Sequence, residues 1–244
     1  MSGSHAAAGA VVDLRQELRA AGDQGTRGTC VAFVVTAVHE HDARPADTSR
    51  PDDLSEETLH WGCKQLGGMA GPGTRMSAAD LALQRWGQPR EVLWPYDPKR
   101  DDQADDYQPP PEALDPKNCL FSALRTVNRD LYTIRAVLDV GVPVIAALQI
   151  WPQLRHPTTE PLPTPVASDL LPTFHAVVIV GYDAARSALL IRNSWGTGWG
   201  TDGHLWLADG IVNHLTGAWA IDNTVKNARI ATADGSIAIA RSSA

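Results

Sequence analysis

The stretch from Cys30 to Val38 (CVAFVVTAV) is apolar at almost every position, and polar residues return in force only at His39, Glu40 and His41. A run with no polar face predicts a helix buried on all sides over Cys30–His41, although periodicity alone also allows a strand. The small residues just before it, Gly25 to Thr29 (GTRGT), form a turn that delivers the chain to a helix N-terminus. A second helix is predicted from Ser55 to about Gln65: Asp53 and Ser55 supply capping groups, and Glu56 and Glu57 put negative charge in the first turn. A third runs from about Ser77 to Trp86 and is ended by Gly87.

Beyond that point the pattern changes. Asp97 to Lys117 is rich in Pro and Asp with almost no apolar periodicity, and predicts a surface loop between two lobes. Leu131 to Asp139 reads as a helix and Pro143 to Ile150 (PVIAALQI) as a buried strand. A second Pro-rich loop, Trp151 to Pro172, precedes another apolar strand, Ala176 to Val180, closed by Gly181. Leu189 to Arg192 and His204 to Leu207 are short strands around a Gly- and Trp-rich loop. A mainly helical first half followed by a mainly β second half predicts an α+β protein with two lobes. The small, polar tail from Asn223 to Ala244 predicts one more strand, for instance Ser236 to Ala240, or a frayed end.

Composition excludes several function classes. The 244 residues are 43% hydrophobic and 20% charged, the make-up of a soluble globular chain with room for a sizeable core. Lys and Arg number 21 against 28 Asp and Glu, a net charge of −7 with no clustered basic face, so no nucleic-acid partner is expected. Met1 to Ala10 has neither a basic nor an apolar export region, and no stretch approaches roughly 18 uninterrupted apolar residues, so a cytoplasmic location without membrane attachment is expected. Three cysteines are too few, and odd in number, for a disulfide scaffold; they fit a reducing compartment in which a special cysteine is special for its reactivity.

Three separated segments carry candidate chemistry: Asp23–Phe33 (DQGTRGTCVAF), Thr173–Tyr182 (TFHAVVIVGY) and Arg192–Gly200 (RNSWGTGWG). The first puts Cys30 at the start of a buried helix, where unpaired N–H groups and the helix dipole favour thiolate over thiol. Gln24 lies across a glycine-containing turn, so its amide can come back beside that helix end and, with the Cys30 N–H, form a two-donor oxyanion hole. His175, at the mouth of a strand, is a candidate base that Asn193 can orient, and Trp195 can shield their bond from water.

These motifs, in this order, resemble the papain family of cysteine peptidases: Gln-Gly-x-x-Gly-x-Cys-x-Ala-Phe, His-Ala-Val-x-x-Val-Gly-Tyr and Asn-Ser-Trp-Gly-x-x-Trp-Gly. Val12-Asp13-Leu14-Arg15, Leu54-Ser55-Glu56 and Trp94-Pro95-Tyr96 are supporting matches, so the similarity covers roughly Val12 to Ala220. The resemblance, to a bacterial-type member without a propeptide, implies a peptidase domain over 12–222, with a helical lobe over about 24–118 around a central catalytic helix and an antiparallel β-barrel lobe over about 119–222. It leaves 1–11 as a disordered or tag-like start and 223–244 as the C-terminal segment. It implies Cys30 as nucleophile, Gln24 as oxyanion donor, His175 as acid and base, Asn193 as orienting residue, and a resting Cys–His ion pair. Gly71–Thr74 sits where the family pairs with an extended substrate, so Gly73, with Thr74 beside it, is the candidate for main-chain pairing, and Trp195 is counted with them on the substrate side.

The departures are specific. Arg27 stands three residues before the nucleophile, where secreted members have a disulfide cysteine; Val31 stands where Trp is often found; Phe174 stands before His175, where some plant members carry Asp. Cys63 and Cys119 read as core thiols, with a bridge between them as the alternative. No metal or cofactor is expected: His39 and His41 diverge by about 200° on a helix, and Asp101, Asp102, Asp105 and Asp106 lack the glycine and terminal glutamate of a calcium loop.

The activity implied is hydrolysis of peptide bonds through a thioester, with peptide or protein substrates and, in the absence of a propeptide, an inhibitory or regulatory partner protein. The same thioester captured by an amine would make a ligase or transferase, and the fold without turnover would be a peptide-binding module. Both Pro-rich loops can shape substrate choice; the second leads directly into His175 and is expected to weigh more.

Overall fold

In the computed structural model, which describes residues 9–44, 53–67, 71–222, 229–231 and 237–239, the apolar run forms helix α1 (Cys30–Ala43), with every residue from Val31 to Glu40 buried. It is followed by α2 (Glu56–Gln65), α3 (Met76–Arg85), the single turn α4 (Pro111–Leu114), α5 (Leu131–Asp139) and the single turn α6 (Pro152–Arg155). Ser55 caps α2: its Oγ accepts from the Thr58 N–H at 3.0 Å and donates to the Trp94 carbonyl at 2.6 Å. Asp130 does the same for α5, accepting from the Thr133 N–H at 2.8 Å. Gly87 ends α3 with φ of +69°, and a Cβ there would meet the Leu120 backbone.

The strands are β1 (Val11–Asp13), β2 (Gln88–Pro89), β3 (Cys119–Leu120), β4 (Leu124–Thr126), β5 (Val144–Gln149), β6 (Phe174–Asp183), β7 (Ala188–Arg192), β8 (His204–Ala208), β9 (Leu215–Ile221), β10 (Arg229–Ala231) and β11 (Ile237–Ile239). The main sheet runs β4-β9-β5-β6-β7-β8, and β1 also pairs with β6. β6 is buried from His175 to Tyr182, which explains its near-continuous apolar sequence: neither face alternates with water. Along one edge it pairs first with β5 (Leu148 opposite His175, Val144 opposite Ile179) and then with β1 (Val12 opposite Tyr182).

The chain divides into two units: residues 1–22 with 126–219, which hold most of the main sheet with α5 and α6, and residues 23–125 with 220–244, which hold α1 to α4. Helices and a mostly antiparallel sheet make this an α+β fold, as the sequence pattern predicts. The boundary between the two units falls at Arg125–Thr126, within β4. Of the expected tag-like start, residues 1–8 lie outside the described residues, while Val11 already belongs to β1.

Two loop readings change. Asp97–Lys117 does not run between the units but lies inside the helical one, where Tyr107 and Ala113 join Trp61 and Trp94 in a core cluster against which Trp86, Leu93 and Leu114 pack. Together with the buried Pro109, these anchors are enough to seat a loop that shows no periodicity. Trp151–Pro172 likewise buries Trp151, Leu154 and Leu162. In the tail, Ile237–Ile239 pairs with Arg229–Ala231 as a separate two-stranded sheet rather than extending the main one. None of the helices among the described residues is long and apolar enough to cross a membrane.

The β1–β6 contact is tight enough to test. Gly181 has no room for a side chain: a Cβ would lie inside the contact radius of the Val12 carbonyl oxygen and 3.2 Å from the Asp13 Cα. Gly181→Ala is expected to push β1 off the sheet and lower stability by about 1–3 kcal/mol. The readouts are the urea midpoint and faster hydrogen exchange at Leu14, whose N–H bonds the Val180 carbonyl at 2.8 Å.

Candidate active site

In the helical unit, the turn from Gln24 to Thr29 is built by side chains that leave it no alternative. Gly25 takes φ of +60°, and its N–H bonds the Asp23 carboxylate at 2.8 Å. The Tyr96 hydroxyl lies 2.8 Å from both the Gln24 carbonyl and the Thr29 hydroxyl. A carbonyl only accepts, so Tyr96 donates to Gln24 and receives the Thr29 proton. Thr29, the residue preceding α1, therefore spends its hydroxyl on Tyr96 and does not cap the helix with it. Cys30, the first residue of α1, sits at the positive dipole end of the helix and is partly exposed.

Gln24 is buried, at 6% exposure, and its Nε2 donates to the Arg27 carbonyl at 2.7 Å. Because that partner accepts only, the amide can sit one way round, with nitrogen toward Arg27. Gly28 lies under the Gly71–Thr74 segment; a Cβ at Gly28 would overlap the Pro72 carbonyl and sit 2.9 Å from the Gly73 nitrogen. This packing brings Gly73 beside the turn that leads into Cys30. Thr74 is buried at 7% exposure beside the Cys63 thiol, so of the two candidates Gly73 keeps the more accessible surface.

In the other unit, His175 and Asn193 meet: Nε2 of the ring lies 2.7 Å from Asn193 Oδ1, and the same oxygen accepts the Ser194 N–H at 2.8 Å. The Ser194 N–H can only donate, so the atom facing it is oxygen; the His175 Nε2 facing that oxygen must then carry the proton. In the neutral ring this leaves the lone pair on Nδ1. Trp195 stacks on the imidazole with centroids 4.6 Å apart at 24°, and Trp199 meets Trp195 edge-on at 5.6 Å. Trp199 is fixed in turn by its Nε1–H, which donates to the Leu154 carbonyl in the second Pro-rich loop at 3.0 Å.

Burial pushes the His175 imidazole down to about 4; the Asn193 bond opposes this, and the Arg155 charge adds to it. Within its own unit the ring is thus neutral near pH 7, and a protonated resting ring requires a negative partner.

The structure shows a group that the motifs did not single out as functional. The Arg27 guanidinium lies at 2.7 and 2.8 Å from the two oxygens of Glu57, and Tyr107 donates its hydroxyl to the same carboxylate at 2.6 Å. The only sequence signal was that Arg27 departs from the family pattern. The other two cysteines are not bridged: Cys63 is fully buried, which pushes its thiol up to about 12, and Cys119 directs its thiol to the Ala113 carbonyl at 3.4 Å. His39 holds Gln88 at 2.8 Å through Nδ1, and Asp102 of the acidic loop holds His60 at 2.6 Å. Among the described residues, no group of three His, Cys, Asp or Glu side chains could hold a metal ion.

A family model described as papain family cysteine protease matches residues 8–219. A search of curated proteins finds no match. Among solved structures, the chain is similar to xylellain, a cysteine protease from Xylella fastidiosa, at 24% identity over 87% of this chain and 85% of that one, with a TM-score of 0.71. It is also similar to digestive procathepsin L 3 of the Tenebrio molitor larval midgut, at 23% identity over 90% of this chain and 72% of the other, with a TM-score of 0.65. The bromelain protease from Ananas comosus, solved with the E64 inhibitor, matches at 18% identity over 86% and 97% of the two chains, with a TM-score of 0.69.

His204 supports the loop that carries Asn193, since the Asn193 N–H bonds the Gly203 carbonyl at 2.9 Å, and it gives a pH test. Burial, with the Arg192 charge adding to it, pushes His204 down to about 4. A histidine with a folded value below its unfolded value costs nothing above about pH 6.5 and loses stability as pH falls toward the folded value, by about 3 kcal/mol at pH 4. His204→Asn retains a donor for the Asp202 carbonyl without the titration. Urea unfolding is expected to show wild type losing about 3 kcal/mol relative to this variant between pH 7 and pH 4.

Proposed function

Since the chain belongs to the papain family of cysteine proteases and is a cysteine-type peptidase, we propose that its turnover runs through Cys30, His175, Asn193 and Gln24. Cys30 Sγ attacks the scissile carbonyl carbon and the carbonyl becomes an oxyanion. The Gln24 amide and the Cys30 N–H are the donors we assign to that oxygen. Collapse breaks the C–N bond, and His175 delivers a proton from Nδ1 to the departing amine. Water then adds to the thioester, giving its proton to His175, and Cys30 leaves as the carboxylic acid forms.

The observation that carries this reading is the tautomer of His175. With Nε2–H committed to Asn193 Oδ1, the proton-transfer work falls to Nδ1 alone, which is the division of labour that a general base and its orienting residue need. The low value set by burial also has a use here: a neutral ring accepts a proton from the thiol, and the resulting thiolate supplies the negative partner that a charged ring requires.

The substrates we propose are peptides or proteins bound in extended form against the Gly73 main chain, with Trp195 covering the His175–Asn193 bond. A reducing compartment such as the cytoplasm is supported by three cysteines, none of them in a disulfide. Restraint by a regulatory partner protein remains part of the proposal.

The test is a diverse peptide mixture with mass readout. Wild type is expected to yield products that have gained water, and Cys30→Ala to lose roughly a thousandfold or more of that activity. Iodoacetamide should label Cys30 well before Cys63 and Cys119. Asn193→Ala is expected to retain labelling but lose kcat about ten- to a hundredfold, since the ring can then rotate. Ligated products without water gain would indicate transfer, and equal labelling of all three cysteines with no cleavage would sink the reading.

A further inference from the structure

An oxyanion donor is effective only if it is held within a few tenths of an ångström of its working position; misplacement by about 1 Å can cost a hundredfold. The Gln24 amide nitrogen donates to the Arg27 carbonyl at 2.7 Å, so a shift of the Arg27 peptide shifts the amide's anchor. That peptide is immobilised by its own side chain. The guanidinium is 8% exposed and makes a two-pronged contact with Glu57, which is 0% exposed. One prong, Nη1, also donates to the Asp97 carbonyl at 2.9 Å. The guanidinium lies over the Tyr96 ring, 5.0 Å from its centroid, and Tyr96 holds the Gln24 carbonyl at 2.8 Å. Side chain and backbone of Gln24 are therefore referred to one rigid frame, whose central charge is Glu57.

We propose that Arg27 and Glu57 are positioning residues for the oxyanion donor: their buried ion pair sets the orientation of the Gln24 amide through the Arg27 carbonyl. This rests on the reading of Gln24 as that donor. The chemistry favours arginine specifically, because a planar fork fixes two angles at once, whereas a lysine ammonium is a point charge that leaves the backbone free to rotate about the contact.

The experiment is a double-mutant cycle on a fluorogenic peptide amide chosen from those wild type cleaves, with kcat corrected for the folded fraction by active-site thiol titration. Arg27→Lys and Glu57→Gln are each expected to lower kcat roughly ten- to a hundredfold with KM within about twofold, because a misdirected donor fails mainly in the transition state. In a Gln24→Ala background the same substitutions should cost less than about twofold, since no donor is left to position. Tyr107→Phe, which removes a single donor to Glu57 and keeps the ring, is the milder variant should the others fail to fold; a loss of about two- to fivefold, again absent in the Gln24→Ala background, is expected. A merely structural pair would give the same fold-loss in both backgrounds, or no loss after correction for folding, and either result overturns the proposal. If Gln24→Ala alone leaves kcat unchanged, it is the assignment of Gln24 that fails, and the positioning role falls with it.

Discussion

A carboxylate with no exposed surface must find its charge partners inside the protein, and Glu57 is such a group. Burial alone would raise its pKa; the hydrogen bonds from Arg27 and Tyr107 and the nearby guanidinium charge outweigh it and hold the carboxyl below its usual range. Arg100 adds a second guanidinium at 3.1 Å, and Glu57 lies in the first turn of α2, at its positive end. A buried pair of this kind contributes little net stability over a well-packed apolar alternative, yet losing one partner leaves an uncompensated charge that costs about 3–5 kcal/mol. Its effect is therefore on specificity. Three segments distant in sequence, the turn before α1, the start of α2 and the loop that carries Asp97 and Tyr107, have one arrangement in which that charge is satisfied.

The same logic recurs wherever a polar atom must point one way. Gln24 faces a carbonyl, which only accepts; Asn193 faces the Ser194 N–H, which only donates. Each removes an orientation that an amide would otherwise sample, and in the second case the constraint passes on to the proton on His175. Tyr96 extends it to the helix: by drawing the Thr29 hydroxyl to itself, it keeps that hydroxyl from capping α1 just before Cys30. Aromatic packing does for His175 what the ion pair does for Gln24, since Trp195 lies flat on the ring and Trp199 is tethered to Leu154.

How much of this could be read in the sequence depends on the range of the interaction. Helices α1, α2, α3 and α5 and strands β5 to β8 follow from local periodicity and local caps, and their ends fall within about two residues of expectation, except that β6 runs further in both directions. Strands β1 and β4, three residues each, are too short to carry a period, and Gly217 interrupts that of β9. The Asp97–Lys117 loop resembles a linker in sequence because Tyr107 and Ala113 are isolated apolar residues whose burial depends on Trp61 and Trp94. At the candidate site, the motifs supply residue types in order, but they carry no hydrogen-bond direction. That Nε2 of His175 carries the proton is decided by a backbone N–H one residue beyond Asn193. The Arg27–Glu57 pair spans 30 positions, and nothing in either residue's neighbours marks it as buried.

The clamp also suits the chemistry proposed for it. A thiol nucleophile works only while reduced, so conditions under which Cys30 could fill that proposed role also tend to open disulfides. Where secreted relatives tie down the turn before the nucleophile with a cysteine, this chain uses a guanidinium–carboxylate pair that thiol exchange cannot cut. Burial, at 8% and 0% exposure, also limits screening by salt, which would weaken an exposed pair. A covalent staple holds two atoms at a fixed separation. The fork on Glu57 fixes orientation as well, and it recruits Tyr107 and the Asp97 carbonyl into the same frame. For a turn proposed to aim an amide rather than merely to stay closed, orientation is the more useful constraint.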